Sequence, residues 1–323
     1  MAKSKQDQKR PVVFIHDAAI DDFIATLLLV AMPNVDLKGI IVANADCIPE
    51  PAMDVCSLLN QFMGRPKMPL GLSSARGWNP FPWPYRGDVV NFAKIPSLRR
   101  YRSTVRTPPP SGDELLVKLL EAALKARERL TVLLTTAFTP LTDVTSKRPD
   151  LVAAIGDIIW MGGAIGVNGN LDPSTVNPAV ANKHAEWNVF FDPFAVHTAL
   201  QSFSDINVFP LDITNTAAIM KGFMNTLKKQ GQQHTFSQLA YEGYSLVSNE
   251  PFYDMWDVCA TCYLARPDLY AQAQRSPLSV VQWGFEQGWL KKARSGKPQN
   301  LFLRFADQAG FYSYVTSQLA RSA

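Results

Sequence analysis

The stretch Val12-Val-Phe-Ile-His-Asp17-Ala-Ala-Ile-Asp-Asp22 decides the fold of this chain. Its first four residues are apolar and mostly β-branched, which predicts a buried strand, and an apolar helix over Phe23 to Val30 follows. The turn between them carries three carboxylates within six residues. Asp21 and Asp22 are also explained as helix caps, because Asp favours that position. Asp17, however, lies at the carboxyl end of the strand, where parallel α/β sheets bind ligands, and a hard divalent cation is the natural counter-charge.

The composition indicates a globular enzyme-sized chain. Its 323 residues are 47% hydrophobic, enough for one large α/β domain. A net charge of +4 with 19% charged residues is unlike a nucleic-acid-binding protein. The basic cluster Arg99, Arg100, Arg102 and Arg106 is interpreted as a solvated loop, with phosphate binding as the open alternative. No apolar run reaches the length of a membrane helix, so we expect no membrane partner.

The cysteines and the N-terminus predict a cytoplasmic protein. Cys47, Cys56, Cys259 and Cys262 fit a reducing compartment better than a disulfide framework. Cys259 and Cys262 have redox spacing, but they lie within a periodic helix, and we interpret them as small buried residues. No second Cys or His pair has the spacing of a zinc site. Residues 1–10 are polar and charged, which favours a disordered tail over a signal peptide.

Residues 11–323 alternate strands with helices, which predicts one doubly wound, mostly parallel α/β sheet flanked by helices. Predicted strands cover 37–42, 68–71, 130–134, 157–160, 207–210, 278–283 and 301–305; helices cover 52–63, 114–126, 217–246 (interrupted near Gly231), 254–265 and 310–321. Polar segments follow the strands at Asp17, Asp46, Phe138-Thr139, Met161-Gly-Gly163 and Asp212. They therefore predict an active site along one edge of the sheet. The proline-rich loop Trp78 to Arg86 is typical of a lid or binding loop, unless its aromatic residues simply pack onto the core.

Together these motifs resemble the nucleoside hydrolases, the calcium-dependent nucleoside N-ribohydrolases. The matching segments, in consistent order, are His16-Asp17-Ala-Ala-Ile-Asp21-Asp22, Pro140-Leu-Thr, Met161-Gly-Gly, Gly169-Asn170, Ala185-Glu-Trp-Asn188 and Trp256-Asp257. Within the family the chain looks similar to the branch that prefers inosine, adenosine and guanosine. The pointers are Asn79-Pro-Phe-Pro82, Ala45-Asp46-Cys47 and the tryptophan before Asp257.

The resemblance implies a calcium site. Ca²⁺ would be held by Asp17, Asp22, Asp257 and the backbone carbonyl of Phe138, with the remaining positions open to water and to the ribose 2′- and 3′-hydroxyls. Such a hard oxygen donor set agrees with the known preferences of Ca²⁺. Asp17 would be the general base on the attacking water.

The resemblance also implies a substrate site for purine ribonucleosides. Asp21, Asn170, Glu186 and Asn188 would hydrogen-bond the ribose, and Met161 would pack beneath it. Trp256 would activate the leaving purine with Asp46 close to the base, and Tyr85 or Trp83 would cover the opposite face. Each residue taken singly is also explained by a structural role, such as a surface pair or a core methionine. Family members are oligomeric, which favours a homodimer.

Three departures from the family pattern leave a second hypothesis open. Ile15 stands where the family has an Asp, Ala18-Ala19 replaces Pro-Gly or Gly-Asn, and Phe138-Thr139 replaces Thr-Gly. A non-catalytic nucleoside-binding protein with the same fold is therefore the alternative. A nucleotide-dependent oxidoreductase is excluded because no Gly-x-Gly-x-x-Gly follows the first strand. An aspartyl phosphatase would need a carboxylate at the position of Ala19.

Overall fold

The computed structural model describes residues 9–81, 86–171, 177–250 and 253–322. These residues form one nine-stranded sheet in the order β3-β2-β1-β4-β5-β6-β9-β7-β8. The strands are β1 (Arg10–His16), β2 (Val35–Val42), β3 (Leu70–Leu72), β4 (Leu130–Thr135), β5 (Ile155–Met161), β6 (Asn207–Phe209), β7 (Gln274–Val280), β8 (Leu290–Lys292) and β9 (Pro298–Leu301). In this sheet order, every neighbouring pair of strands from β3 across to β9 is parallel. The strand β7 runs antiparallel to both of its neighbours, β9 and β8. The predicted mostly parallel sheet is confirmed, although β8 was not predicted.

Twelve α-helices lie in the described residues, and several of them begin at a side-chain cap. They are α1 (Ile20–Ala31), α2 (Pro49–Phe62), α3 (Asp88–Phe92), α4 (Gly112–Ala126), α5 (Thr139–Lys147), α6 (Trp187–Phe191), α7 (Pro193–Ser202), α8 (Leu211–Thr214), α9 (Lys221–Gln230), α10 (Thr235–Ser245), α11 (Trp256–Cys262) and α12 (Gln308–Leu319). Ser111 accepts the Glu114 N–H at 3.2 Å at the start of α4. Asp192 accepts the Ala195 N–H at 3.0 Å at the start of α7, so both helices begin where a side chain satisfies a free backbone donor.

Both faces of the sheet are covered by helices, which confirms the doubly wound architecture. Val12 and Phe14 of β1 belong to the core that contains α1 and α11. Val13 and Ile15 point to the opposite face, into the core that contains α4 and α5. Ile15 is fully buried there, so an apolar residue at the position of the family's Asp is matched by an apolar environment.

Strand register brings the predicted site segments to one edge. His16 pairs with Val42 of β2 and with Thr135 of β4, and Met161 of β5 pairs with Phe209 of β6. Because these strands are parallel, the residues that follow them emerge together at the carboxyl edge. β1 begins at Arg10, the last residue of the predicted tail, and residues 1–8 lie outside the described ranges.

Two further features of the fold concern its cysteines and the length and polarity of its helices. All four cysteines are buried and unpaired, as expected for Cys259 and Cys262. Across the described ranges, every helix is too short or too polar to cross a lipid bilayer.

Candidate active site

A cavity of about 500 Å³ opens at the carboxyl edge of the sheet. Eight of the residues singled out in the sequence line it: Asp17, Asp46, Met161, Asn170, Glu186, Asn188, Trp256 and Asp257. Its wall also contains Thr135, Asp88, Asn215, Tyr253 and Asp254, which sequence reasoning missed. Trp83 and Tyr85, predicted to cover the base, lie outside the described residues.

The turn after β1 has an unusual backbone geometry. Ala18 has a φ of 68°, a left-handed conformation that residues with a Cβ rarely adopt. Its N–H donates to His16 Nδ1 at 3.0 Å, and the Ala19 N–H donates to Asp22 Oδ2 at 3.0 Å. These bonds fix Asp17 between the end of β1 and the start of α1. The position is one where a branch of the family has glycine, which adopts this φ without strain.

Asp17, Asp22 and Asp257, here called the aspartate cluster, bring negative charge into a buried region. Their exposed fractions are 4%, 0% and 6%. Burial raises the pKa of Asp17 and of Asp257 well above the usual range, and the charge of Asp22 raises both further. The cluster's one ion-pair contact within the described ranges is His16, whose Nδ1 lies 3.7 Å from Asp22 Oδ2. That nitrogen also accepts the Ala18 N–H at 3.0 Å, and the interaction of Asp17 with His16 offsets only part of the rise in its pKa.

The donor chemistry of the cluster fits a hard cation. Carboxylate oxygens without a basic partner favour a divalent ion that supplies the missing positive charge. Among the described residues, however, no three acidic, histidine or cysteine side chains are arranged as a completed cation site. One reason is visible at Asp22, whose Oδ1 accepts the Thr135 hydroxyl at 2.6 Å while Oδ2 accepts the Ala19 N–H.

Phe138 does not occupy the place predicted for a metal ligand. Its carbonyl accepts the N–H groups of Leu141 and Thr142 at 3.0 and 2.9 Å and the Thr142 hydroxyl at 3.1 Å. A carbonyl with these three donors begins α5, and it has no lone pair to offer a cation. The Phe138 ring is buried against Trp160, with ring centres 4.6 Å apart. Thr135, at the end of β4, lies on the cavity wall instead.

Asp21 holds the start of α11. Its Oδ2 accepts the N–H groups of Asp257 and Val258 at 2.6 and 3.0 Å, and its Oδ1 accepts the Tyr244 hydroxyl at 2.5 Å. Burial raises the pKa of Asp21 to about 7, although these three hydrogen bonds oppose the shift. Asp21 is fully buried, so its predicted contact with ribose stays a prediction beside an evident positioning role.

Glu186 and its neighbours form a second acidic wall. Glu186 caps α6: Oε1 accepts the Asn188 N–H at 2.8 Å, and Oε2 accepts the N–H groups of Gly163 and Val189 at 2.8 and 3.3 Å. Burial nevertheless raises its pKa to about 7. The Asn188 amide donates to the Met161 carbonyl at 3.1 Å, which places both residues on the same wall.

Asn170 is placed by a close backbone contact. Its Oδ1 accepts the Trp187 N–H at 3.1 Å, and its own N–H donates to the Ala185 carbonyl at 3.1 Å. A Cβ at the preceding residue, Gly169, would lie 1.9 Å from that carbonyl oxygen, so only glycine fits there. The Gly169-Asn170 motif is therefore required by packing as well as by any contact with substrate.

The outer end of the cavity combines aromatic rings with acids. The half-buried Trp256 ring lies 4.9 Å from that of Tyr253, and its Nε1 donates to Asn215 at 2.9 Å. Burial raises the pKa of Asp46 well above its usual range, and the charge of Asp88 raises it further. Burial also raises the pKa of Asp88 to about 6 and of Asp254 to about 7. Asp254 lies three residues before Asp257, and this short distance to a predicted metal ligand is the sequence signal that could have identified it as a site residue.

The chain is similar to known proteins over nearly its full length. Residues 12–312 match the family model described as inosine-uridine preferring nucleoside hydrolase. The non-specific ribonucleoside hydrolase RihC of Escherichia coli strain SE11 is 25% identical over 318 residues, which cover 96% of this chain and 98% of that protein. The inosine-uridine preferring nucleoside hydrolase of Bacillus anthracis superposes with a TM-score of 0.84 at 27% identity, covering 96% of this chain and 99% of that one.

A third similarity concerns the fold alone. The purine-preferring ribonucleoside hydrolase of Gardnerella vaginalis superposes with a TM-score of 0.77 at 15% identity, over 96% of this chain and 98% of that one. The fold and the acidic cavity thus define a doubly wound α/β protein with a polar site at the carboxyl edge of its sheet. The chain belongs to the nucleoside hydrolase family, and this membership supports hydrolysis of ribonucleoside N-glycosidic bonds.

Proposed function

We propose that this protein hydrolyses purine ribonucleosides to the free base and ribose. The observation that carries the proposal is the composition of the cavity. Buried carboxylates line one part of it, and aromatic rings line another. A sugar that gains positive charge suits the first environment, and a planar purine suits the second.

The aspartate cluster is the proposed Ca²⁺ site, with an oxygen of Thr135 in place of the Phe138 carbonyl. When bound, the ion would lower the pKa of a coordinated water and orient it. Asp17 would then accept the proton of the attacking water on a carboxylate oxygen. Its raised pKa without a bound cation is consistent with a strong need for positive charge at this position.

The second acidic wall is proposed to hold the ribose. Glu186, Asn188 and Asn170 carry the polar groups that face the cavity there, Asp21 would add a ribose contact from the first turn, and Met161 would pack beneath the sugar. As the bond to the base breaks, positive charge develops on the sugar, and the negative charge of Glu186 stabilises it. Interactions of this kind lower the barrier because they are stronger in the transition state than with the bound substrate.

Trp256 is proposed to activate the leaving purine. A ring stacked on the base contributes on the order of 1–3 kcal/mol and favours the larger purine. Its Nε1 is held by Asn215, so the ring has a defined orientation, and Asp46 lies on the same cavity. Asp46 would stand close to the base. Trp83 or Tyr85 would cover the other face.

An assay of ribose release tests the proposal directly. Purified protein with Ca²⁺ should release ribose from inosine, adenosine and guanosine faster than from uridine, and chelation should stop the reaction. Calorimetry with the same nucleosides distinguishes the hydrolase from a non-catalytic nucleoside-binding protein. Tight binding without any ribose release would indicate the non-catalytic protein.

The role of Trp256 needs a substrate whose leaving group requires no activation. Trp256→Ala should lose far more kcat on inosine than on p-nitrophenyl riboside. Phe285→Ala, at an exposed residue outside the cavity, is the control. Equal losses on both substrates would reduce Trp256 to a packing residue.

The predicted homodimer and the cytoplasmic location are also carried forward as proposals. Light scattering on purified protein would test the dimer, and fractionation of cells would test the location.

A further inference from the structure

A second cavity, of about 310 Å³, lies apart from the candidate active site and shares no lining residue with it. Its walls come from α2 and from the segments 66–70 and 104–110. Met53 and Met68 supply apolar surface, and Lys67 and Arg106 are exposed residues of the same lining. The volume falls at the lower end of the range typical for small-molecule sites.

The cavity contains a buried amide that the protein leaves unsatisfied. Asn60 is 3% exposed, and its Oδ1 has no hydrogen-bond partner among the described residues. Its backbone carbonyl is satisfied, since it accepts the Arg65 N–H at 2.7 Å. Ser57, on the same wall, is satisfied as well, because its Oγ accepts the Thr104 N–H at 3.0 Å. A buried amide oxygen without a hydrogen bond destabilises the fold. A ligand that donates a hydrogen bond to Asn60 Oδ1 would therefore remove this destabilisation.

The cations of this cavity are also unpaired. Neither Lys67 nor Arg106 makes an ion pair within the part of the chain that the structure describes. Arg102, in the same basic loop, differs, because its guanidinium donates to the carbonyls of Arg99 and Tyr101 at 3.0 and 2.9 Å. Of these side chains, Lys67 and Arg106 are therefore the ones left to meet an anion.

We propose that this second cavity binds a nucleoside monophosphate. The amide of Asn60 pairs with the donor–acceptor edge of the base, as asparagine does with adenine in other settings. The methionine side chains pack on the faces of the ring, and Lys67 and Arg106 bind the phosphate. A free phosphate would leave the buried amide and the apolar walls unused, whereas a nucleoside would leave both cations unused.

Binding of AMP, measured by calorimetry, tests the site. The measurement is made in Trp256→Ala as well as in the unmodified protein, because Trp256 is the proposed contact of the purine in the active-site cavity and its loss reveals occupancy of that cavity. We expect saturable AMP binding in both proteins. The affinity should fall about tenfold or more in Asn60→Leu and in Arg106→Gln. Arg102→Gln, the matched control from the same loop, should bind AMP as the unmodified protein does.

Three results would overturn the inference. The first is AMP binding that disappears in Trp256→Ala, which would place the nucleotide in the active-site cavity. The second is inorganic phosphate binding as tightly as AMP, which would indicate an anion site without recognition of the base. The third is unchanged AMP affinity in Arg106→Gln, an exposed substitution that does not threaten folding even if Asn60→Leu fails to fold. Unlike the proposed hydrolysis, none of these results depends on ribose release.

Discussion

Two sets of buried carboxylates face the same cavity, and their surroundings differ. Glu186 accepts three backbone N–H groups, so the protein itself provides dipoles that favour its charge. In the aspartate cluster, burial and then the charge of Asp22 raise the pKa values of Asp17 and Asp257, and His16 opposes this rise only in part at Asp17. The difference indicates that the protein offsets the burial of Glu186 in part, although its pKa is still raised to about 7, whereas the aspartate cluster depends more on a cation or protons from outside.

The largest effect is expected at the aspartate cluster. Asp17→Asn and Asp257→Ala should each lower ribose release by at least about 10³-fold, because each removes a charged oxygen from the proposed Ca²⁺ site and Asp17 is also the proposed base. Calorimetric titration with Ca²⁺ should show weaker binding in both. Asp157→Asn is the control, since that exposed aspartate pairs with Arg10 on the surface. Unchanged Ca²⁺ affinity in both variants would show that the aspartate cluster does not bind the metal.

The next effect concerns the pH dependence of stability through Glu186. This carboxyl ionises near 4.5 in the unfolded chain and near 7 in the folded protein, a difference that corresponds to about 3 kcal/mol. Between these values the folded protein binds more protons than the unfolded chain. The free energy of unfolding should therefore fall as the pH rises from about 4.5 through about 7.

Denaturant unfolding of the metal-free protein at several pH values measures this contribution of Glu186 to the free energy of unfolding. The slope is taken as the difference between the unmodified protein and Glu186→Gln, which removes the contributions of the other carboxylates. A difference that does not change with pH would mean that the three N–H donors fully offset burial at Glu186.

A kinetic test of Glu186 follows. Glu186→Gln should lower kcat by about 10²-fold with little change in KM, because its charge matters most when the sugar becomes positive. Glu128→Gln, on the surface, should leave both constants unchanged. A rise in KM at constant kcat would make Glu186 a contact for the bound substrate only.

The smallest effect is expected in the backbone that carries Asp17. Ala18→Gly should raise the free energy of unfolding by about 0.5 to 1 kcal/mol, because glycine adopts the φ of 68° without strain. The helical position Ala122 is the matched control, where the same substitution should destabilise by about 1 kcal/mol. Thermal unfolding decides it, and a loss of stability in Ala18→Gly would show that Ala18 is not strained.

Local patterns were sufficient to predict much of the site. The apolar strand, the acidic turn and the apolar helix around Asp17 are encoded in consecutive residues, so their structure follows from periodicity. Met161 follows a predicted strand, whereas Glu186 and Asn188 were expected only from the resemblance to the family; all three line the cavity at the carboxyl edge of the sheet.

Other parts of the candidate site depend on contacts between residues that are far apart in the sequence. Phe138 was expected as a ligand only from the resemblance to the family's Thr-Gly pattern, but the strand ends at Thr135 and the Phe138 carbonyl accepts hydrogen bonds within α5. The contacts of Asp21 with Tyr244 and with α11 involve partners more than 200 positions away, which no local pattern encodes.

The bond from the Asp257 N–H to Asp21 spans 236 positions of the chain. During synthesis, the first strand and helix emerge long before α11 does, and protein domains generally begin to fold from the N-terminal side. Until α11 arrives, Asp21 has neither of the N–H donors that hold it in the finished protein, and burying it would leave a charge unsatisfied. We therefore expect the acidic turn to be buried, and the candidate active site to close, only after Asp257 and Val258 have been synthesised.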